Sequence, residues 1–590
     1  MRLITIRRIS QIFFVGLFLW FGIVATVGQE WWQLRGWPIN WFLNADPLMA
    51  LGTVLTTRTL PASFLWALVT AVLAIFLGRI FCGWVCPLGA LNHFLSWLAL
   101  RKRKFSERQA ANRYHPGQKI KYYVLGFLAA AALMGSLQTG LVDPLPLIYR
   151  SVNLVVGPIA NAGGRILAAD SRYYSTIWIV GSIFFLVLGL NLIVPRFFCR
   201  FVCPLGALFG LLNRFNPWRM GKTEDICRNC HLCESVCQGA CQPSGKIRTS
   251  ECLVCLNCLD ICPHGRMTFA PRASAAGEIA GPDLGRRHLV LAVGAGLVAA
   301  PMWRLSGLTA GNFDPGLVRP PGALNEKAFL ARCTKCGQCL RICPTNVIQP
   351  AMWEAGWEGL WTPALNFRIG SSGCQLNCVA CGHVCPTAAI RPLSLDEKLG
   401  RGRFAAQGPI RLGMAAVDRT RCLPWAVDRP CLVCQELCPV SPKAIFTKVA
   451  YEPIRGGQAT IVTAAGSNLE LDGLTAAGVD LASGDYFLRL ASGGDQALWR
   501  VSGFSGARLT VTTGASNQDL PAKGQHVEIM VRLSRPYVDP AYCIGCGVCE
   551  HECPLAGLKA IRITSDNESR PRSRKTFVLT LTGTFGKNAP

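Results

Sequence analysis

Cys333-Thr-Lys-Cys336-Gly-Gln-Cys339-Leu-Arg-Ile-Cys343-Pro344 sets four cysteines at the spacing C-x2-C-x2-C-x3-C. Such spacing wraps a short loop around a cubane. Three thiolates then meet three irons of one [4Fe–4S] cluster, and the fourth usually serves a neighbouring cluster. The same spacing recurs at Cys227/Cys230/Cys233/Cys237, Cys252/Cys255/Cys258/Cys262 and Cys543/Cys546/Cys549/Cys553. Two variants complete the set: Cys374/Cys378/Cys381/Cys385 (C-x3-C-x2-C-x3-C) and Cys422/Cys431/Cys434/Cys438 (C-x8-C-x2-C-x3-C). Proline follows Cys262, Cys343, Cys385, Cys438 and Cys553. Zinc also accepts four thiolates, but its sites usually hold a pair of C-x2-C knuckles separated by a longer loop. Six groups on one chain point to six [4Fe–4S] clusters and to electron transport, since one or two would suffice for a structural or sensing role.

Outward from these groups, the 590 residues are 51% hydrophobic and carry a formal charge of +26. Six clusters with their thiolates would lower that to roughly +14. Length and hydropathy imply several domains with membrane segments. Four apolar stretches, about 11–28, 62–81, 120–142 and 174–195, are long enough to span. The basic loop Arg101-Lys-Arg-Lys104, with Arg108, Arg113, Lys119 and Lys121, sets its side as cytoplasmic. Arg7, Arg8, Arg196, Arg200, Arg214 and Arg219 agree with that orientation. Positive-inside topology therefore accounts for most of the basic excess, and no basic-aromatic module argues for nucleic acid as a partner. Trp31, Trp32, Trp37 and Trp41 in the outer segment 29–61 read as an interfacial belt, or as the edge of a quinol pocket.

The expected fold class is multi-domain: an α-helical membrane bundle of four helices plus a fifth, α+β bacterial-ferredoxin-like domains and a small all-β insert. The membrane domain is 1–217. Within it, Arg79-Ile-Phe-Cys82-Gly-Trp-Val-Cys86-Pro-Leu-Gly-Ala-Leu matches Arg196-Phe-Phe-Cys199-Arg-Phe-Val-Cys203-Pro-Leu-Gly-Ala-Leu, a hairpin unit used twice. Residues 218–270 form a cytoplasmic two-cluster ferredoxin domain. Residues 271–310 hold a linker and a short apolar segment behind Arg286-Arg287, which resembles a twin-arginine export signal. Residues 311–455 and 534–568 form a four-cluster polyferredoxin, with 311–590 expected in the periplasm. Residues 456–533 lose cysteine and gain alternating runs separated by turn residues, which reads as a β insert. Residues 569–590 are a C-terminal tail.

Five cysteines remain: Cys82, Cys86, Cys199, Cys203 and Cys241. A spacing of four puts two thiols on one helical face. The two C-x3-C-P copies could therefore gather four thiolates for a further metal or redox centre, or pack helices as reduced thiols. Arg79 and Arg196 occupy matching places and suit an anionic centre or a semiquinone. Cys237 lacks the following proline, which leaves Cys241 open as the ligand in its place. Cys227-Arg-Asn-Cys-His231 formally matches a covalent haem site. Those cysteines are needed for the cluster, so no haem is expected. No catalytic residue is assigned; His93, His115 and Asp46 are weak candidates for accepting quinol protons.

The first 270 residues resemble the NapH-type membrane ferredoxin subunit associated with periplasmic nitrate reductase, by their four apolar stretches, two C-x3-C-P motifs and two cluster groups. Residues 285–565 resemble NapG/MauM-type periplasmic polyferredoxins. That likeness rests on the twin arginines, Arg319-Pro-Pro-Gly-Ala, Phe329-Leu-Ala-Arg-Cys-Thr-Lys-Cys, Val417-Asp-Arg-Thr-Arg-Cys-Leu-Pro-Trp and four cluster groups. The chain thus looks like a fusion of the two. The resemblance implies a quinol dehydrogenase type of oxidoreductase in the respiratory chain of the bacterial inner membrane. It would draw on the quinone pool, deliver electrons to a periplasmic reductase or cytochrome, and belong to a larger complex. The competing class is a membrane ferredoxin that assists maturation or regulation of a respiratory enzyme.

Overall fold

The computed structural model describes residues 3–27, 37–159, 172–223, 230–282, 284–309, 316–475, 481, 485–491, 498–506, 508–512 and 520–570. Trp31, Trp32 and Cys227, the first cysteine of the haem-like motif, lie outside the described residues.

The N-terminal region is a helical bundle built twice over. Each half has a long helix, a short helix capped by Asp-Pro, a third helix, a π-helical turn and a final helix. The first copy runs Leu3–Val27, Pro47–Thr57, Leu65–Leu77, Phe81–Val85 and Pro87–Leu100. The second runs Ile120–Leu133, Pro144–Ser151, Ile177–Gly189, Phe198–Val202 and Pro204–Leu212. Asp46 and Asp143 take the same role: each carboxylate accepts the backbone N–H two residues on, at 2.9 and 3.3 Å, with proline at the first helical position. That pairing satisfies a donor the helix leaves orphaned and uses a residue that has none to offer.

Leu3–Ala25 is the one helix among the described residues that is long and apolar enough to cross a membrane by length and composition. The other three expected spans form shorter helices: Ala62–Leu77, Ile120–Leu133 and Ile177–Leu192. Backbone breaks shorten two of them. Gly78 and Gly135 take φ of 69° and 82°, which glycine adopts at little steric cost. The segment after Arg286-Arg287 is longer than its apolar core suggested. It forms the helix Arg286–Thr309 and packs along Ile120–Leu133, with Gly296 against the Phe127 backbone.

The two ferredoxin regions sit at opposite ends of this bundle. At one end, Arg7 donates to the Cys255 carbonyl (2.7 Å) and Trp84 Nε1 to the Val254 carbonyl (2.9 Å). The buried Glu251 there receives Lys121 and Tyr122 and lies 3.6 Å from Arg79. At the other end, Gly140 lies so close to Thr334 that a Cβ would sit 2.0 Å from its carbonyl oxygen. Arg150 donates to the Lys335 carbonyl (3.2 Å) and Tyr174 to the Leu340 carbonyl (3.3 Å).

Each pair of cysteine motifs carries a two-stranded antiparallel sheet: Arg219–Lys222 with Met267–Ala270, Ile348–Pro350 with Pro363–Leu365, and Met414–Val417 with Ile561–Thr564. The third sheet clasps the β insert between its strands. The insert is a closed six-stranded barrel, joined to the ferredoxin by the ribbon Ile445–Ala465 and His526–Val538. Its interior is filled by alternate residues, among them Leu488, Val501, Leu509, Val511, Ile529 and Val531. Closure leaves it no free sheet edge.

Candidate cluster sites

Three of the four strict motifs share one backbone device. In Cys333–Cys339, Lys335 and Gly337 take φ of 58° and 77°; in Cys543–Cys549, Gly545 and Gly547 take 68° and 79°; in Cys252–Cys258, Val254 and Leu256 take 48° and 58°. Two left-handed residues per loop curl it so that three sulfurs face one centre. A single-turn helix follows, as in Gln338–Ile342 and Val548–Glu552, and carries the fourth cysteine to its far end. The fourth sulfur therefore faces a different centre.

Four cavities show the outcome. Cys333, Cys336, Cys339 and Cys385 line one. Cys374, Cys378, Cys381 and Cys343 line a second. Cys543, Cys546, Cys549 and Cys438 line a third. Cys422, Cys431, Cys434 and Cys553 line a fourth. In each, three sulfurs come from one motif and one from its partner motif, and most other walls are apolar. No three His, Cys, Asp or Glu side chains among the described residues converge to hold a single ion. Zinc, bound at about 2.3 Å from each sulfur, does not fit such wide sets; a cubane of iron and sulfide does. Bound there, such a cluster supplies a one-electron couple tuned by hydrogen bonds to sulfur, charge and burial. Burial pushes the free thiols of Cys333 and Cys336 up to about 12 and 11, so loading must displace protons.

The four cavities follow one another. Tyr149 and Arg150 of the bundle lie within electrostatic reach of Cys336. Cys333 and Cys343 belong to one motif, so the first two sites interlock. The second and third meet where the Cys374 N–H donates to the Cys546 carbonyl (2.7 Å) and Arg368 pairs with Glu550 (3.3 Å). The third and fourth interlock through Cys438 and Cys553.

At the opposite end of the bundle, Cys237 lies within electrostatic reach of Cys252, Cys255 and Cys258. Cys262 accepts backbone N–H groups of its own loop, from Arg266, His264, Met267 and Gly265. Cys230 is exposed and Cys233 half-buried. Cys241 sits 3.5 Å from the Cys237 sulfur and also hydrogen-bonds Cys252. Hydrogen bonding from Cys241 brings the Cys237 thiol down to about 7, whereas the Cys241 thiol is pushed well up. The Cys241 backbone N–H also donates to the Cys237 sulfur (3.3 Å), which suits Cys237 as a ligand and Cys241 as a hydrogen-bond donor to it. Cys241→Ala is expected to keep full iron content and to lower the midpoint potential of one centre, read by redox titration. Cys237→Ala is expected to lose about four irons.

Sequence reasoning placed the two thiols of each C-x3-C-P copy on one helical face. The structure instead breaks the helix between them. Cys82 and Cys199 lie in the π-helical turns, while Cys86 and Cys203 cap the next helices and accept the Gly89 and Gly206 N–H groups at 3.4 and 3.2 Å. The proline after the second cysteine starts a helix at its first position, where it fits. Of the proton-acceptor candidates, His115 caps a 3-10 turn through Gly117, and His93 Nδ1 lies 3.1 Å from Gln11 Oε1. Asp46 is wholly buried and hydrogen-bonded to Asp143, a partner the sequence reading did not consider. Several basic residues read as topology signals prove to hold cysteine loops. Arg7 binds the Cys255 carbonyl, and Arg200 binds the Cys237 carbonyl (3.2 Å). Lys398 went unnoticed; it is 5% exposed, donates to the Cys378 carbonyl (2.7 Å) and lies 3.6 Å from the Cys374 sulfur.

The chain matches a 4Fe-4S binding domain family at residues 59–106 and 176–223, and a second 4Fe-4S binding domain family at 330–349. It is 28% identical to ferredoxin-type protein NapH of Escherichia coli over 294 residues, 47% of this chain and 92% of that protein. It is 30% identical to regulatory protein NosR of Pseudomonas aeruginosa over 197 residues, 33% of this chain and 25% of that one. With protein NirI of Paracoccus denitrificans it shares 28% over 282 residues, 43% and 38% of the two chains. No solved structure matches. The chain is therefore similar to a ferredoxin-type protein and to the NosR and NirI proteins, and itself carries matches to 4Fe-4S binding domains.

Proposed function

We propose that this protein is a membrane-bound electron conduit. It takes electrons from quinol and passes them through six [4Fe–4S] clusters to a periplasmic reductase or cytochrome. The observation that carries the reading is the unbroken row of cysteine-lined cavities leading away from the bundle. The ligand sets follow from it: three sulfurs of each motif with the fourth of its partner, and Cys227, Cys230, Cys233 with Cys262 as the remaining set. The bundle is multi-pass, with 218–270 on the cytoplasmic side and 311–590 on the periplasmic side. Support comes from apolar side chains left exposed on its outer helices, such as Ile12 (74%), Trp178 (80%) and Val290 (71%). Lipid would cover them; in water they would be an aggregation liability. The Arg286–Thr309 helix, lying alongside the bundle from one ferredoxin region to the other, supports a crossing at that point. On this reading the chain joins a NapH-like half to a NapG/MauM-like half. Addition of a reduced quinol analogue to anaerobic protein is expected to bleach the cluster absorbance and give reduced-cluster EPR signals. No reduction at any quinol potential would remove quinol as the donor.

A second reading, assembly or regulation of a respiratory enzyme, is favoured by the likeness to a protein named regulatory protein NosR. Deletion of the gene separates the two. Loss of electron delivery to an intact, cofactor-loaded enzyme supports conduction, and loss of that enzyme's cofactor supports assembly.

A further inference from the structure

Cys82, Cys86, Cys199 and Cys203 meet inside the bundle, two from each repeat. Cys82 lies within electrostatic reach of Cys199, Cys86 of Cys82 and Cys199, and Cys203 of Cys199 and Cys82. All four are free thiols. We propose that they jointly hold one further iron–sulfur cluster, which links the two ferredoxin regions. The proposal rests on the reading of those regions as cluster carriers. Each segment matched to the 4Fe-4S family contains only two cysteines, so neither completes a four-thiolate site alone.

Three observations carry it. First, the thiols gather without converging on one point, as in the four cavities described above, which suits a cluster and not a single ion. Second, the site is built for negative charge. Cys86 and Cys203 cap helices of 14 and 9 residues, and their sulfurs accept the Gly89 and Gly206 N–H groups, donors that suit a sulfur carrying negative charge. Asn92 Nδ2 donates to the Cys199 sulfur (3.4 Å), and Arg79 hydrogen-bonds Cys82. Arg196 is 1% exposed, and its Nε and Nη2 have no partner; neither has Nε of Arg79, 2% exposed. Buried guanidinium groups left in that state are costly. Four thiolates around an oxidised cluster bring about −2, next to both arginines.

Third, the site lies on the way. Its turns grip the first ferredoxin region directly: Trp84 through Val254, between Cys252 and Cys255, and Arg200 through Cys237. On the other side, Cys203 lies within electrostatic reach of Asp143. Asp143 precedes Tyr149, which is within reach of Cys336, by about 9 Å of helix rise. The ferredoxin regions themselves are far apart. Gly285, the residue before the Arg286–Thr309 helix, donates to Tyr123, and Arg304 within the helix pairs with Glu358, levels separated by about 29 Å. Electron tunnelling falls exponentially with distance, so a centre between them replaces one long step by two short ones. Each step moves a single electron: the donor cluster is oxidised by one, the next is reduced by one, and no bond or proton is exchanged.

The test compares full-length wild type with Cys86→Ala/Cys203→Ala, both purified anaerobically in detergent. Iron, acid-labile sulfide and EPR are read on each. The expected result is a loss of about two or about four irons with equal sulfide, for a [2Fe–2S] or [4Fe–4S] centre respectively, while the ferredoxin EPR signals persist. Unchanged iron and sulfide overturn the proposal, as does a Cys82–Cys199 or Cys86–Cys203 disulfide found by mass spectrometry in oxidised wild type. The comparison is a difference between two proteins. A wild-type total other than that of six or seven clusters would therefore fault the reading of the ferredoxin sets and leave this one decided. Should the variant lose every cluster, Arg196→Gln decides, since it keeps all four thiols. It is expected to lower the midpoint potential of one centre and leave the others in place; no shift in any centre overturns the proposal.

Discussion

Replacing Cys553 by alanine is expected to empty the cavity of Cys422, Cys431 and Cys434 and to spare the one formed by the rest of its own motif. The fourth sulfur of each motif lies across a single-turn helix from the first three, in the neighbouring cavity. Iron should fall by about four per chain. The decisive measurement is the double variant. Cys553→Ala with Cys434→Ala should lose no more than either alone, because both empty one site. Cys553→Ala with Cys549→Ala should lose about eight irons, because two sites are emptied. The reverse pattern would show that each motif closes on itself. The variant should also break the row at its far end, so that quinol still reduces the inner clusters but no electrons reach an acceptor beyond them.

Gly547→Val is expected to open the junction between the second and third cavities. Gly547 has φ of 79°, and a Cβ there would lie 1.8 Å from Cδ1 of Phe367. Phe367 is 3% exposed and cannot withdraw. Left-handed backbone costs a side-chain-bearing residue roughly 1–2 kcal/mol, and overpacking adds about 1–3 kcal/mol. The contacts at stake include the Cys374–Cys546 backbone bond and the Arg368–Glu550 pair. Thermal unfolding should move down, and reduction of the outer clusters by quinol should slow while the inner ones still reduce. Gly557→Val is the control. Its φ is 69° with nothing near a Cβ, so it carries the backbone cost alone. Equal behaviour of the two variants would place the junction elsewhere.

Much of this was legible in the residues. Sulfur at fixed short spacing admits few chemistries, so the cysteine groups announced themselves. The alternation between Ala459 and Val531 likewise announced a β insert, because period-two burial has one structural meaning. The charged residues were harder to read. Arg7 and Arg200 were assigned to topology alone, since a sequence shows that a charge is present and not what it touches. Folded, they are 1% and 3% exposed and serve cysteine loops. Asp143 passed unnoticed because a lone Asp-Pro reads as an ordinary helix start; only the repeat brings it against Asp46.

By itself the sequence determined the kind of metal chemistry, the duplication of the helical unit and the place of the insert, because all three are written in local spacing. Only the tertiary structure decided which sulfur faces which cavity, in what order the cavities stand, and that four cysteines 117 residues apart in matching pairs share one interior. Those are contacts between segments distant in the chain. They are fixed by how helices and loops pack, and local spacing does not encode that.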